Sequence, residues 1–213
     1  EGLKLDLHKA PSWASLRDML AVAQVDAAQM LAPVPVAMAL GLGRGPVRFE
    51  ALCVLNLNGN VVGISNALAA KMAQAGYGFD FANAHTAGRA LLAAAPHLRI
   101  GVPYAFSMHR ELLHYWLRAS GAETAQLDIR TVPPPLMAEA VSADEIDLFC
   151  VGEPWGSVAV EKGVGVLLLP TSALWARAPE KVLAVRAGWA EAEPALAGPL
   201  LRALWRAGRW LSQ

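Results

Sequence analysis

Cysteine is scarce in this sequence: two in 213 residues, Cys53 and Cys150, each inside an apolar, strand-like run. There is no C-x-x-C pair, so neither a zinc ribbon nor a dithiol redox motif is written here. Thiols in such runs behave as small core residues, which points toward a reducing compartment. Charge of one sign is also lacking. Lys+Arg and Asp+Glu are both 18, and charged residues make up only 17%. Without a basic excess, direct nucleic-acid binding and attachment to an anionic membrane surface are not expected. Long apolar runs are missing too. The best, Met30 to Leu40, holds Pro33 and Pro35 and is far short of the ~20 residues of a spanning helix, so no transmembrane segment is expected. The first residues, Glu1-Gly2-Leu3-Lys4, are not a secretion signal.

Catalytic signatures are equally sparse. No G-x-S-x-G elbow and no P-loop occurs. Gly41-Leu42-Gly43-Arg44-Gly45 follows an apolar helix-like run rather than a strand and reads as a loop. His109 and His114 are five apart, about 140° around a helix with 3.6 residues per turn, whereas a zinc helix places its histidines four apart. The carboxylates are scattered. Catalytic residues, a metal site and a cofactor are therefore not expected, and neither is an enzyme.

What is there is a core: hydrophobic residues are 55% of the chain. That suits one large domain or two small lobes. Leu3, Leu5 and Leu7 alternate with polar residues as in a short strand. Ser12 can cap a helix from Trp13. Gln24–Ala28 reads as a strand end, and Met30–Leu40 as a buried helix opened or kinked by its prolines. Strands are expected at 49–57, 61–64, 98–102, 127–132, 146–151 and 164–169. Helices are expected at 67–75, 85–95, 109–120, from Pro133 to 141, after Pro154, and over 194–211. Strands alternating with helices predict an α/β fold with largely parallel sheets.

Polar residues at the tips of these elements are the candidate ligands: Trp13, Asn60, His109, Glu153 and Lys181. Open α/β sheets bind ligands at the carboxyl ends of strands. Bland readings stand beside each. Trp13 also suits a core, Asn60 a turn after Gly59, His109 a helix-start surface position, and Glu153 a cap behind Pro154. Lys181 also reads as a solvated charge beside Glu180.

Seven segments occur together in this order: "PSWASLRD", "LAPVPVA", "LNLNGN", "HRELLHYWLRASG", "VPPPLM", "FCVGEPW" and "PEKVL". Together they resemble the solute-binding proteins of nitrate/nitrite and bicarbonate ABC transporters, and the related cytoplasmic nitrate sensors. The resemblance covers nearly the whole chain. It implies a type II periplasmic-binding-protein-like α/β fold, with two lobes and a ligand cleft between them. Residues 1–99 and 176–213 would form an incomplete lobe 1, and 100–175 lobe 2. It further implies a chain without the family's first strand and helix and without its C-terminal helices.

By the same resemblance, nitrate or nitrite would be held by Trp13, Asn60, His109, Gly152, Glu153 and Lys181. Nitrate-transport members carry Gln where this chain has Asn60, an amide about one C–C bond (~1.5 Å) shorter. Glu153 is expected to balance Lys181, with the backbone N–H groups of Gly152 and Glu153 toward the anion. Three functions follow from the resemblance. The first is a small-anion receptor that delivers to an ABC permease, in the periplasm, free or membrane-anchored. The second is a cytoplasmic nitrate sensor acting on a regulatory RNA-binding antiterminator. The remainder are bicarbonate or sulfonate binding, or a pyrimidine-precursor synthase on the same fold.

Overall fold

A computed structural model of the chain describes residues 2–42, 47–123 and 126–213. The first half runs α1 (Trp13–Ala21), β1 (Ala27–Leu31), α2 (Pro33–Ala39), β2 (Phe49–Leu57), β3 (Asn60–Ser65), α3 (Asn66–Gln74), α4 (Ala84–Ala94) and β4 (Leu98–Val102). The second runs α5 (Met108–Ala119), β5 (Leu127–Thr131), α6 (Met137–Ser142), β6 (Leu148–Gly152), α7 (Trp155–Glu161), β7 (Gly165–Pro170), β8 (Pro179–Arg186), α8 (Trp189–Ala192) and α9 (Pro194–Leu211).

Two compact units result: Glu1–Leu57 with Pro179–Gln213, and Asn58–Ala178. In the first, three antiparallel strands lie in the order β1-β8-β2, so β8 is central. Val182, Leu183, Ala184 and Val185 of β8 are all buried. Ser12 caps α1 as expected, its hydroxyl accepting the Ser15 N–H at 3.0 Å. Pro33 opens α2, where its missing N–H costs nothing. Gly41, at φ +72°, closes it.

In the second unit five strands run β5-β4-β6-β3-β7. β6 is the middle strand, and Leu148, Phe149, Cys150 and Val151 are all buried. Leu148 and Cys150 join the core under α3, α4 and α5, whereas Phe149 and Val151 join the one under α6 and α7. A strand covered on both faces is continuously apolar. Phe149 packs its ring onto Gly63, where an added Cβ would lie 2.1 Å from Cζ.

Several expectations change. Residues 2–10 form no regular element, and Leu5 and Leu7 are exposed; alternation without a pairing strand leaves backbone groups to water. Met30 and Leu31 are not helical but pair with Val182 and Lys181, and the helix starts only at Pro33. The sheets are not largely parallel. Among the described residues only β4 runs parallel to its neighbours, β5 and β6, and the pairings of β1, β2, β3, β7 and β8 are antiparallel. The unit boundary falls at 57/58 and 178/179 rather than at 99/100 and 175/176, because β3 hydrogen-bonds to both β6 and β7. Cys150 is buried in β6, and Cys53, half-buried in β2, has its thiol pKa pushed up by burial. Gly43 to Gly45 of the glycine-rich loop lie outside the described residues.

Candidate functional site

In the second unit the candidates gather at one sheet edge. β4 and β6 are parallel, so their carboxyl ends share that edge, and antiparallel β3 begins there. Asn60, the first residue of β3, is directly opposite Gly152, the last of β6. Asn60 is 4% exposed, and its main-chain carbonyl accepts the Thr171 hydroxyl at 3.0 Å. Thr171, itself buried, follows β7 at the same edge. Sequence reasoning missed it, since nothing in Pro170-Thr171-Ser172 distinguishes that hydroxyl from a turn residue.

β4 leads to the start of α5. The fully buried Ser107 donates its hydroxyl to the Tyr104 carbonyl at 2.7 Å and accepts the Arg110 N–H at 3.3 Å. His109 is the second residue of that helix and is 3% exposed. It is therefore not a surface residue. His109, Leu112, Leu113, Trp116 and Leu117 form the buried stripe of α5, at the helical spacing of a core-facing stripe. The stripe was present in the sequence, with a histidine at its leading end. His114 lies off it, and its pKa is lowered, first by burial and then by Arg110.

Glu153 resolves differently from expectation. Its main-chain N–H is taken by the Gly59 carbonyl at 3.1 Å, so that donor is not offered to an anion. Its carboxylate accepts the Ser157 N–H at 3.1 Å, satisfying a donor in the first turn of α7. Gly156 makes room for this, since a Cβ there would be 3.2 Å from Glu153 Oε1. The Glu153–Pro154 peptide is cis.

The first unit holds the cation. Lys181 is flanked by Leu31 on β1 and Asn56 on β2. Its Nζ lies 5.4 Å from the centroid of the half-buried Trp13 ring, at the start of α1. That is cation–π distance. The same Nζ is 2.5 Å from Oε1 of Glu180, whose side chain is only 2% exposed. Lys181 is therefore an ion-paired, partly exposed charge rather than one held by solvent alone. Its ion-pair partner among the described residues is Glu180, which sequence reasoning read only as a neighbour.

Among the described residues no cluster of three His, Cys, Asp or Glu side chains is placed to hold a metal ion. No helix among them is long and apolar enough to cross a membrane.

Residues 1–213, the whole chain, match the NMT1-like family. The chain belongs to that family. This NMT1-like chain is 34% identical over 208 residues to the nitrate import ATP-binding protein NrtC of Synechocystis sp., covering 96% of this chain and 30% of NrtC. It is 32% identical over 206 residues to the bicarbonate transport ATP-binding protein CmpC of Synechococcus elongatus, again 96% of this chain and 30% of that one. Its fold matches the crystal structure of the periplasmic nitrate-binding protein NrtA from Synechocystis PCC 6803, with a TM-score of 0.81 at 29% identity, over 96% of this chain and 53% of NrtA. The fold is therefore the mixed α/β fold of periplasmic solute-binding proteins. The chain spans about half of NrtA and less than a third of NrtC and CmpC. No G-x-x-x-x-G-K-[ST] loop occurs in the sequence.

Proposed function

We propose that this chain forms the anion-binding part of a solute receptor that takes nitrate or nitrite and delivers it to an ABC permease. The observation that carries the reading is the Lys181 ammonium, held against Trp13 at the start of α1, in a chain with the fold of NrtA. Nitrate is planar, singly charged and acceptor-only. It calls for N–H donors and a positive charge in a place poor in water. Lys181 supplies the charge and Trp13 an indole N–H. Asn60 supplies an amide, His109 a ring N–H, and Gly152 leaves room for close approach. Glu153 completes the proposed ligand set by shaping the turn that carries Gly152.

NrtC is named for import and CmpC for transport, and NrtA as periplasmic, which favours a periplasmic receptor over a cytoplasmic sensor with a regulatory partner. The reading is one of binding rather than catalysis. Bicarbonate is the second reading. The likeness to CmpC favours it, and so does Glu153, an acceptor suited to a ligand that has an O–H of its own.

Titration calorimetry of the full-length protein against nitrate, nitrite, bicarbonate and an alkanesulfonate tests this. Nitrate or nitrite should bind most tightly. Tight bicarbonate or sulfonate binding with no response to nitrate or nitrite would overturn the proposal.

A further inference from the structure

Glu180 has no role in the ligand set above, yet it is the most deeply buried charged side chain beside it. Consecutive residues on a strand send their side chains to opposite faces. The Lys181 ammonium nevertheless lies 2.5 Å from Glu180 Oε1, while Trp13 stands 5.4 Å from the same nitrogen. The Lys181 side chain is 17% exposed and that of Glu180 2%. The ammonium is therefore reachable, and its counter-charge is locked behind it.

We infer that Glu180 restricts the Lys181 site to singly charged anions. The inference rests on the reading of Lys181 as an anion ligand. An incoming anion meets a cation that already has a buried carboxylate against it. The attraction it gains from this pair grows in proportion to its charge. The hydration it gives up grows with the square of its charge, since that is how Born solvation scales, and leaving water is expensive for any ion. The buried carboxylate thus lowers the attraction for a dianion twice as much as for a monoanion, while the dianion has about four times the hydration to give up. Removing the Glu180 charge changes the potential at the ligand, and a dianion feels that change twice over. At the effective dielectric of a partly buried site, one extra ligand charge near a unit charge corresponds to a roughly tenfold or larger change in affinity.

The test measures nitrate and sulfate affinity at fixed ionic strength for the full-length wild type, Glu180→Gln, Glu180→Asp and Lys181→Ala. Wild type should bind nitrate more tightly than sulfate. Glu180→Gln should raise the sulfate-to-nitrate affinity ratio by about tenfold or more, and Glu180→Asp, which keeps the charge, should hold it near wild type. A merely structural Glu180 would weaken both anions alike and leave the ratio in place, which overturns the inference. If Glu180→Gln does not fold, the wild type and Glu180→Asp decide: sulfate binding as tight as nitrate in either overturns it. Wild type that binds no small anion overturns the anion reading and the inference with it. Nitrate binding that is lost in Lys181→Ala, with an unchanged ratio in Glu180→Gln, overturns the inference alone.

Discussion

Asn60 stands directly opposite Gly152 across the β3–β6 ladder, and a methyl group on Gly152 would lie 3.4 Å from Asn60 Oδ1. That is ordinary contact, so Gly152→Ala costs the fold little. A β-carbon in a strand also restricts the unfolded chain, which offsets part of any loss. The variant should unfold within ~1 kcal/mol of wild type, yet bind nitrate more weakly, because the methyl occupies the space beside the Asn60 amide. Chemical denaturation and calorimetry on the same sample check both halves. Unchanged affinity would remove Gly152 and the space beside it from the ligand set.

Lys181→Ala should weaken anion binding by roughly 1.5–3 kcal/mol, the worth of a charge-assisted hydrogen bond. It should also lower the melting temperature, because Glu180 loses a partner while remaining buried. Lys181→Ala,Glu180→Ala should recover part of that thermal loss and none of the binding. Full nitrate affinity in Lys181→Ala would take Lys181 out of the site.

At the opposite edge of the five-stranded sheet, Asp147 accepts three bonds from Arg99: the main-chain N–H at 3.1 Å, Nε at 2.9 Å and Nη2 at 2.6 Å. The Arg99 guanidinium holds the Asp147 carboxyl below the usual carboxylate range, against the effect of burial. A lowered folded-state pKa stabilises the protein above the ordinary value, near ~3.9, and that contribution fades as pH falls below it. Thermal unfolding followed from pH 7 to pH 3 should show the decline in wild type. Asp147→Asn should be less stable at pH 7 by about 1–3 kcal/mol, and its curve should flatten in the acid range. Parallel curves would mean that the pair does not titrate with folding.

Gly63 faces Phe149 across the same ladder as Asn60 and Gly152. The close approach of the Phe149 ring to Gly63 predicts that Gly63→Ala destabilises by ~1–3 kcal/mol through overpacking. Shortening the partner, as in Gly63→Ala,Phe149→Leu, should recover part of the loss. Urea unfolding distinguishes this from a glycine that is only a flexible strand residue, where alanine would be neutral or stabilising.

Much of this is legible in the sequence. The cap at Ser12, the apolar run of β6 and the helix that carries His109 are local patterns, set by hydrogen bonds and burial within a few residues. The family motifs named the ligand candidates by the same local means. Other features had no local signal. Leu3-x-Leu5-x-Leu7 alternates as a strand does and pairs with nothing among the described residues. Met30 and Leu31 read as helix until β8, about 150 positions later, supplies their strand partners. The burial of Glu180 and the bond from Thr171 to Asn60 depend on distant strands as well.

The sequence by itself determined the α/β class, the placement of most helices and strands, the resemblance to solute-binding proteins, and the candidate residues. Periodicity, capping and motif order are properties of short stretches, so they survive without a partner. Only the tertiary structure decided that β3 belongs with β6 and β7 and that Glu153 serves the turn and α7. It alone placed Lys181 beside Trp13 and the buried carboxylate of Glu180. Those outcomes depend on which strand pairs with which, and pairing is settled by hydrogen bonds and apolar burial between residues far apart in the chain.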